Sequence, residues 1–152
     1  MSDTIEIRPA KLKDAGRIIE FNLRMAGETE EKKLEPDVLF SGVTAVLNEP
    51  DLGFYLVATD GSQVVGCLLV TTEWSDWRNG EFWWIQSVYV EPDFRRKGVF
   101  RSLYEATRKR AKESDRVCGF RLYVEQENVK AQQTYAQLGM KETAYMMLET
   151  LF

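Results

Sequence analysis

Three strand-like segments joined by two tight-turn signals most constrain the fold of this chain. Residues 54–58, 64–72 and 82–90 are rich in β-branched, aromatic and aliphatic side chains, which is typical of buried strands. An Asp-Gly pair at 60–61 separates the first two segments, and an Asn-Gly pair at 79–80 precedes the third. Both pairs favour hairpin turns. The pattern therefore predicts an antiparallel meander of three strands.

The connections change after residue 90. Residues 98–112 carry apolar side chains at helical spacing, and residues 117–124 form another strand-like segment. A strand, a helix and a strand in this order normally form a crossover whose two strands are parallel. The fourth strand of the sheet should therefore lie parallel to the strand at 82–90.

The remaining segments complete an α/β (α+β) prediction. We expect a first strand at 5–8, helices at 12–25, 36–47 and 129–138, and one or two closing strands within 140–151. Neither repeats nor a linker interrupt the 152 residues, which is the size of one ordinary domain. The sequence thus predicts a single domain over 1–152, with a mixed sheet of six to seven strands and about four helices.

Composition excludes several kinds of site. The chain has no histidine and only two cysteines, so Ser-His-Asp and Cys-His nucleophilic sites are excluded, as are zinc sites of the usual ligand sets. Its net charge is −4, which argues against general binding to nucleic acid or anionic membranes. No apolar run approaches the roughly 20 residues that span a bilayer, and the polar N-terminus lacks a signal-peptide core. We therefore expect a cytoplasmic protein with neither membrane nor nucleic-acid partners and with free cysteines.

One segment carries the clearest chemical signal. An apolar strand ends at Val90, Pro92 blocks its continuation, and a basic loop leads into a helix near Gly98. A helix N-terminus presents unpaired N–H groups and the positive end of the helix dipole, so it suits a phosphate or pyrophosphate. Glycine also lets the backbone approach a ligand closely. Positive side chains add to the same place: Arg95, Arg96, Lys97 and Arg101.

Two motifs resemble the GNAT superfamily of N-acetyltransferases. Residues 95–100 read R-R-K-G-V-F, which is similar to the family's acetyl-CoA loop Q/R-x-x-G-x-G/A, with Phe100 in place of a small residue. Residues 128–140 follow the pattern N-x-x-A-x-x-x-Y-x-x-x-G-M, which resembles the family's N-x-x-A-x-x-x-Y-x-x-x-G-F. The two motifs stand in the expected order of elements, so the resemblance extends over nearly the whole chain and implies a GNAT-like acyl-CoA N-acyltransferase fold.

The resemblance implies acetyl-CoA as the acetyl donor, a primary amine as acceptor, and no metal. The pantetheine arm would pair with the backbone of the first splayed strand, and a backbone N–H there would stabilise the tetrahedral oxyanion. The pyrophosphate would lie on the amides of residues 96–101. The implied cofactor-binding residues are Val88, Tyr89, Val90, Arg95, Arg96, Lys97, Gly98, Val99, Phe100, Arg101 and Asn128.

Two catalytic roles follow from the same resemblance. Tyr135 matches the family tyrosine that protonates the leaving thiolate, although its position also suits a core tyrosine on a helix packed against a sheet. Many relatives place a basic carboxylate on the first splayed strand, where this chain has Gln86 and Ser87. Glu73 is our predicted catalytic base, with Asp76 and Glu125 as alternatives.

Three other features have two interpretations. Phe100 either extends the core face of its helix, which we prefer, or crowds the pyrophosphate loop. All four tryptophans lie within residues 74–84, where they form either cross-strand pairs of a hairpin or a wall of the acceptor site. Residues 28–31 are acidic apart from Thr29. They serve solubility or, if they share a cleft with Glu73 and Asp76, favour a small cationic amine.

The sequence leaves three functional hypotheses. An acetyl-CoA-dependent amine acetyltransferase is favoured. A catalytically silent module that binds acyl-CoA is the alternative, and a structural or nucleic-acid-binding domain fits the charge and motifs least. Members of the family are often homodimers, which leaves a homodimer open, and no segment indicates which surface would pair.

Overall fold

The computed structural model describes residues 4–29 and 32–152. Strand β1, Ile5–Pro9, leads through a 3-10 turn into helix α1, Ala15–Thr29, and helix α2, Pro36–Asn48, follows. Buried Asp14 fixes the start of α1, since it accepts hydrogen bonds from both terminal nitrogens of Arg8 at 2.8 and 3.0 Å and from the Lys11 backbone N–H at 2.7 Å. The predicted helix at 12–25 therefore begins with a tighter turn and continues to Thr29.

The predicted meander is confirmed. Strands β2 (Phe54–Asp60), β3 (Gln63–Ser75) and β4 (Gly80–Val90) pair in antiparallel order, and β1 pairs antiparallel with β2. Both turns use left-handed backbone, with φ of 62° at Gly61 and 48° at Asn79. This is the conformation that Asp-Gly and Asn-Gly turns supply.

The crossover is also confirmed. Helix α3, Val99–Lys112, connects β4 to strand β5, Val117–Arg121, which runs parallel to β4. Together the strands form one mixed sheet in the order β1-β2-β3-β4-β5. The prediction of six to seven strands is wrong for the described residues, which form five. The error lies in residues 140–151, where no strand is assigned and nearly every residue is exposed.

Alternating side chains give the sheet two apolar faces. On one face α1 and α2 pack against strand residues in a core that includes Ile18, Phe21, Val43, Cys67 and Tyr89. On the other face lies α3. Gly66 faces the start of this helix, where a built Cβ would be in ordinary contact with Val99 at 3.4 Å and Leu103 at 3.6 Å.

Two compact units divide the chain, Met1–Leu122 and Tyr123–Phe152. The first contains the sheet and helices α1 to α3. The second contains helix α4, Val129–Gln137, and the C-terminal residues. None of residues 123–152 is buried, so this unit has no apolar core of its own.

Candidate active site

Strands β4 and β5 pair over only part of the length of β4. The last parallel pair joins Trp84 to Arg121, and β4 continues to Val90 with β3 as its neighbour. Along residues 85–90 one edge of β4 is therefore unpaired within the described sheet. An extended chain-like ligand can add its own amides to such an edge.

The register shows which backbone groups of β4 face this edge. Tyr89 pairs with Cys67, and the Glu91 N–H donates to the Val65 carbonyl at 2.8 Å. Backbone groups alternate in direction along an antiparallel strand, so those of Tyr89 and Glu91 face β3. Those of Val88 and Val90 face the opposite, unpaired edge. Of the three predicted backbone positions, Val88 and Val90 are thus available, whereas Tyr89 belongs to the β3 ladder.

A bulge in β4 precedes these residues. The register with β3 shifts between Cys67 and Leu69, and Ser87 has a φ of 51°. Gln86 donates from its side chain to the Thr71 hydroxyl at 2.6 Å. The bulge changes the direction of the backbone at Gln86 and Ser87, the positions where the family resemblance led us to expect a carboxylate. No sequence signal indicated it, because serine is not a residue that favours positive φ.

The basic loop presents its charges at the start of α3. Arg96 and Gly98 are left-handed, with φ of 63° and 81°. Alternation of left-handed and right-handed backbone can turn successive N–H groups toward one point, which suits an anion. Arg96, Lys97 and Gly98 are exposed, whereas Val99 is buried and anchors the first turn of the helix. Arg101 is exposed and lies 4.0 Å from Glu105.

Phe100 packs alongside its own helix. Its ring lies 6.3 Å from that of Tyr104, which makes an edge contact with Phe120 of β5. This contact fits the interpretation that Phe100 extends the core face of α3.

Arg95 is held by the protein itself. Its Nε donates to the Val90 carbonyl at 2.8 Å, its terminal nitrogen donates to Glu28 at 3.0 Å, and its guanidinium lies 5.1 Å from the centre of the Tyr89 ring. The Val90 carbonyl is one of the groups on the unpaired edge. Arg95 therefore braces the loop against β4, a role that the motif alone did not indicate.

Glu28 connects the end of α1 to this loop. It accepts a hydrogen bond from the Tyr89 hydroxyl at 2.6 Å as well as one from Arg95, and these contacts hold the pKa of the Glu28 carboxyl below its ordinary value. Glu28 is therefore an anion at neutral pH. Its acidic neighbours Glu30 and Glu31 lie outside the described residues.

Glu73, the predicted base, belongs to a second polar cluster on the same sheet face. It pairs with Phe82 across the β3–β4 ladder, accepts from Trp84 Nε1 at 2.8 Å, and forms a salt bridge to Arg121 at 3.0 Å. The guanidinium of Arg121 also stacks on the Phe82 ring at 3.7 Å. The hydrogen bond from Trp84 and the contact with Arg121 lower the pKa of Glu73. These contacts stabilise the unprotonated form of Glu73 and so make it a weaker base. Its role as the general base stays a prediction.

The tryptophans do not share one environment. Trp83 is buried on the α3 face between Phe54 and Phe120, whereas Trp84 lies on the opposite face with Glu73. Trp74 stacks under Arg116, and Trp77 is exposed in the turn. Cross-strand partners of Trp74 and Trp83 are Glu81 and Thr72. Trp84 therefore donates a hydrogen bond to a candidate acidic residue, Glu73.

Two predicted residues lie in the second unit. Asn128 is the N-cap of α4, and its side-chain oxygen accepts from the Ala131 N–H at 3.1 Å. Capping therefore uses the oxygen and leaves the amide nitrogen as the group that could contact a cofactor. Tyr135 lies on the half-buried face of α4, and burial raises the pKa of its phenol. A raised pKa keeps the phenol protonated at neutral pH, as a proton donor requires.

The described ranges contain neither a candidate metal site nor a membrane-spanning helix. Residues 4–29 and 32–152 contain no group of three or more Cys, Asp or Glu side chains arranged to hold a metal ion. Within the same ranges, no helix has both the length and the apolar character needed to cross a membrane.

Comparison with known proteins agrees with this geometry. A model of the acetyltransferase (GNAT) family matches residues 17–140, and no curated protein matches the chain. A possible acetyltransferase from Clostridium difficile 630 is similar over 98% of both chains, with 46% identity and a TM-score of 0.92.

More distant solved structures share the fold. A predicted acetyltransferase with acetyl-CoA from Clostridium acetobutylicum has 18% identity and a TM-score of 0.78, and covers 95% of this chain and 96% of its own. An aminoglycoside N-acetyltransferase in complex with CoA has 15% identity and a TM-score of 0.80, and covers 97% and 94%. With the unpaired edge of β4 and the basic loop in place, the family match over most of its length shows that this chain belongs to the GNAT acetyltransferase family.

Proposed function

We propose that this protein is an acetyl-CoA-dependent N-acetyltransferase in which a primary amine attacks the thioester directly in a ternary complex. One observation carries the proposal. Residues 85–90 of β4 have an unpaired edge that leads within a few residues to the N-terminus of α3. A pantetheine arm needs the first feature and a pyrophosphate needs the second.

In this proposal each part of the donor meets a different group. The backbone groups of Val88 and the backbone N–H of Val90 pair with pantetheine, since the Val90 carbonyl accepts from Arg95. The amides of residues 96–101 receive the pyrophosphate. Arg96, Lys97 and Arg101 add positive charge. The amine nitrogen forms a bond to the thioester carbon, and the carbonyl oxygen becomes an oxyanion stabilised by a β4 N–H. Collapse of this intermediate breaks the carbon–sulfur bond and releases a thiolate, and the positively charged nitrogen gives its extra proton to water.

Tyr135 is our candidate for the acid that protonates this thiolate. Its match to the family motif supports the role. Tyr135→Phe should lower kcat by about 100-fold or more, the usual effect of losing a general acid, and leave the Kd for acetyl-CoA within twofold. Tyr123→Phe, an exposed tyrosine of the same unit, is the matched control. Equal kcat values for the two variants would remove Tyr135 from the mechanism.

We further propose that the acceptor is a small cationic amine and that Glu73 helps to bind it. Glu28 and Glu73 both have lowered pKa values, and both contact β4 residues on the face covered by α1 and α2. An ionised carboxylate beside the indole of Trp84 favours a cation. Comparison of cationic, neutral and anionic primary amines tests this, and equal kcat/KM for the three classes would contradict it.

Calorimetric titration with acetyl-CoA, and with CoA as comparison, tests the central proposal. Saturable binding followed by amine-dependent thiol release would support the acetyltransferase. Saturable binding with no thiol release over the amine panel would favour the silent acyl-CoA module instead. No binding of either ligand would refute both. A cytoplasmic location stays a prediction.

A further inference from the structure

One peptide bond in the bulge of β4 has an uncommon backbone conformation. It joins Ser87 to Val88, and the register places both residues opposite a single residue of β3, Leu68. Ser87 has a φ of 51°, in the left-handed region. A residue with a side chain keeps this conformation only where its surroundings hold it, and such residues cluster at functional sites. The contacts of this peptide therefore show what holds it.

A buried thiol holds the carbonyl of the peptide. Cys67 of β3 is 0% exposed, and its Sγ donates a hydrogen bond to the Ser87 carbonyl at 3.4 Å. Burial raises the pKa of the Cys67 thiol to about 12, so the sulfur keeps its proton at neutral pH. A thiol is a weak donor in general. Cys67 belongs to the core under α1 and α2, where water does not compete and a hydrogen bond is stronger.

The direction of this carbonyl sets the direction of the Val88 N–H. In a planar trans peptide the C=O and the N–H point to opposite sides, and the described residues contain no cis peptide bond. Because the Ser87 carbonyl points toward a side chain of β3, the Val88 N–H points away from β3. It therefore points toward the edge of β4 on which the pantetheine arm is proposed to lie.

We propose, on the basis of the proposed acetyl transfer, that the Val88 N–H stabilises the oxyanion and that Cys67 is the residue that positions it. Val88 then offers its N–H to the thioester oxygen, while its carbonyl and the Val90 N–H pair with the pantetheine arm. A donor that is fixed before the substrate binds stabilises the developing charge without reorganisation. Cys67 acts only through the peptide between Ser87 and Val88 and touches neither substrate.

Three substitutions separate the hydrogen bond of the thiol from its packing. Cys67→Ala removes the donor, and Cys67→Ser replaces it by a hydroxyl donor. Val57→Ala is the control, since Val57 pairs with Cys67 across the β2–β3 ladder and lies fully buried in the same core. It loses two methyl groups without losing a hydrogen bond. All variants are compared at a temperature at which each is folded.

Acetyl transfer to the most active amine of the panel gives the first measurement. The kcat of Cys67→Ala should fall by about 10-fold or more, toward the roughly 100- to 1,000-fold loss caused by removal of one oxyanion-hole donor. Cys67→Ser and Val57→Ala should keep kcat within about threefold. The proposal is overturned if Cys67→Ala has the kcat of the wild type, or if either Cys67→Ser or Val57→Ala is as slow as Cys67→Ala.

Calorimetric titration with CoA separates positioning from a general loss of structure. CoA has no thioester oxygen, so Cys67→Ala should leave the Kd for CoA within about twofold while kcat falls. A rise in this Kd as large as the fall in kcat would mean that the whole strand is disturbed, and would overturn the positioning role of Cys67.

Crystal structures of the free variants test the positioning without any activity. Ser87 should leave the left-handed region in Cys67→Ala and keep it in Cys67→Ser. A left-handed Ser87 in Cys67→Ala would overturn the role of Cys67, even in an active acetyltransferase. A wild type that transfers no acetyl group would instead refute the proposed function and the oxyanion role of Val88, while the change at Ser87 would still decide whether Cys67 orients the peptide.

Discussion

Gly98→Ala tests whether the loop proposed to bind the pyrophosphate, residues 95–98, needs a left-handed residue to keep its backbone conformation. Gly98 is the N-cap of α3, with φ of 81° and ψ of 11°. A Cβ built at this position has no heavy atom within 4 Å, so alanine would meet no steric obstacle. The cost therefore comes only from the left-handed conformation and amounts to about 1–2 kcal/mol for a residue with a Cβ.

Gly42→Ala is the matched control. Gly42 lies inside α2, is exposed, and also has no atom within 4 Å of a built Cβ. Alanine there should stabilise the helix by about 0.5–1 kcal/mol. The two substitutions add the same methyl group and should change the free energy of unfolding in opposite directions. Gly98→Asn should cost less than Gly98→Ala, since asparagine tolerates left-handed backbone.

Urea unfolding and calorimetry measure the two consequences. Each kcal/mol should change Tm by about 2–4 °C for a protein of this size. If Gly98→Ala relaxes out of the left-handed conformation, the N–H groups turn away from the pyrophosphate. The same 1–2 kcal/mol then raises the Kd for acetyl-CoA by about 5- to 30-fold.

Two results would refute this reasoning. Equal stability of Gly98→Ala and wild type would mean that the left-handed conformation at Gly98 does not exist in solution. A destabilised Gly98→Ala with an unchanged Kd for acetyl-CoA would mean that alanine keeps the left-handed conformation, and it would refute the expected rise in Kd.

Three further predictions concern ionisable and thiol groups. Glu73→Gln should raise the KM for the amine about fivefold, since a half-exposed ion pair contributes at most about 1 kcal/mol, and should leave kcat within twofold. The control Glu81→Gln removes a carboxylate that also accepts a hydrogen bond from an indole, that of Trp83, and should change neither KM nor kcat. A 100-fold loss of kcat in Glu73→Gln would instead make Glu73 the base. Asp14→Asn should destabilise the fold by about 1–3 kcal/mol at pH 7. Hydrogen bonds from Arg8 lower the pKa of Asp14, so this stabilisation is complete above the ordinary carboxyl pKa and is lost as pH falls through the lowered value. A difference from wild type that does not begin to shrink as urea unfolding is moved to pH values below the ordinary carboxyl pKa would contradict the assignment. A thiol reagent at pH 8 should titrate Cys118 alone in the folded protein, because burial raises the pKa of Cys67 to about 12, and two rapidly reacting thiols would contradict the burial of Cys67.

Sequence signals predicted the elements whose causes are local. These signals act through the backbone of a few residues: the hairpin pairs at 60–61 and 79–80, the proline after β4 and the glycine before α3. The alternation of apolar residues therefore predicted the meander and the crossover, and the motif predicted the loop. The bulge at Ser87 was not predictable, because it depends on the register between β3 and β4.

The tertiary structure decided how side chains far apart in the chain meet. Arg95 and Glu28 are 67 residues apart, and Glu73 and Arg121 are 48 apart. Sequence could rank these residues by charge, but only the sheet register and the packing of α1 bring them into contact. Those contacts join Arg95 to Val90 and Glu28, and Glu73 to Arg121. The roles of Arg95 in cofactor binding and of Glu73 in catalysis stay predictions.

The C-terminal segment, residues 140–151, separates the two kinds of information most clearly. Its apolar composition by itself predicted that it would be covered as a closing strand, because exposed apolar side chains are unfavourable in water. The strand with which such a segment pairs depends on long-range contacts, which composition does not encode. Strand identity was thus a local property of the sequence, whereas the partner of each strand was fixed only where backbone hydrogen bonds and apolar faces matched in the folded protein.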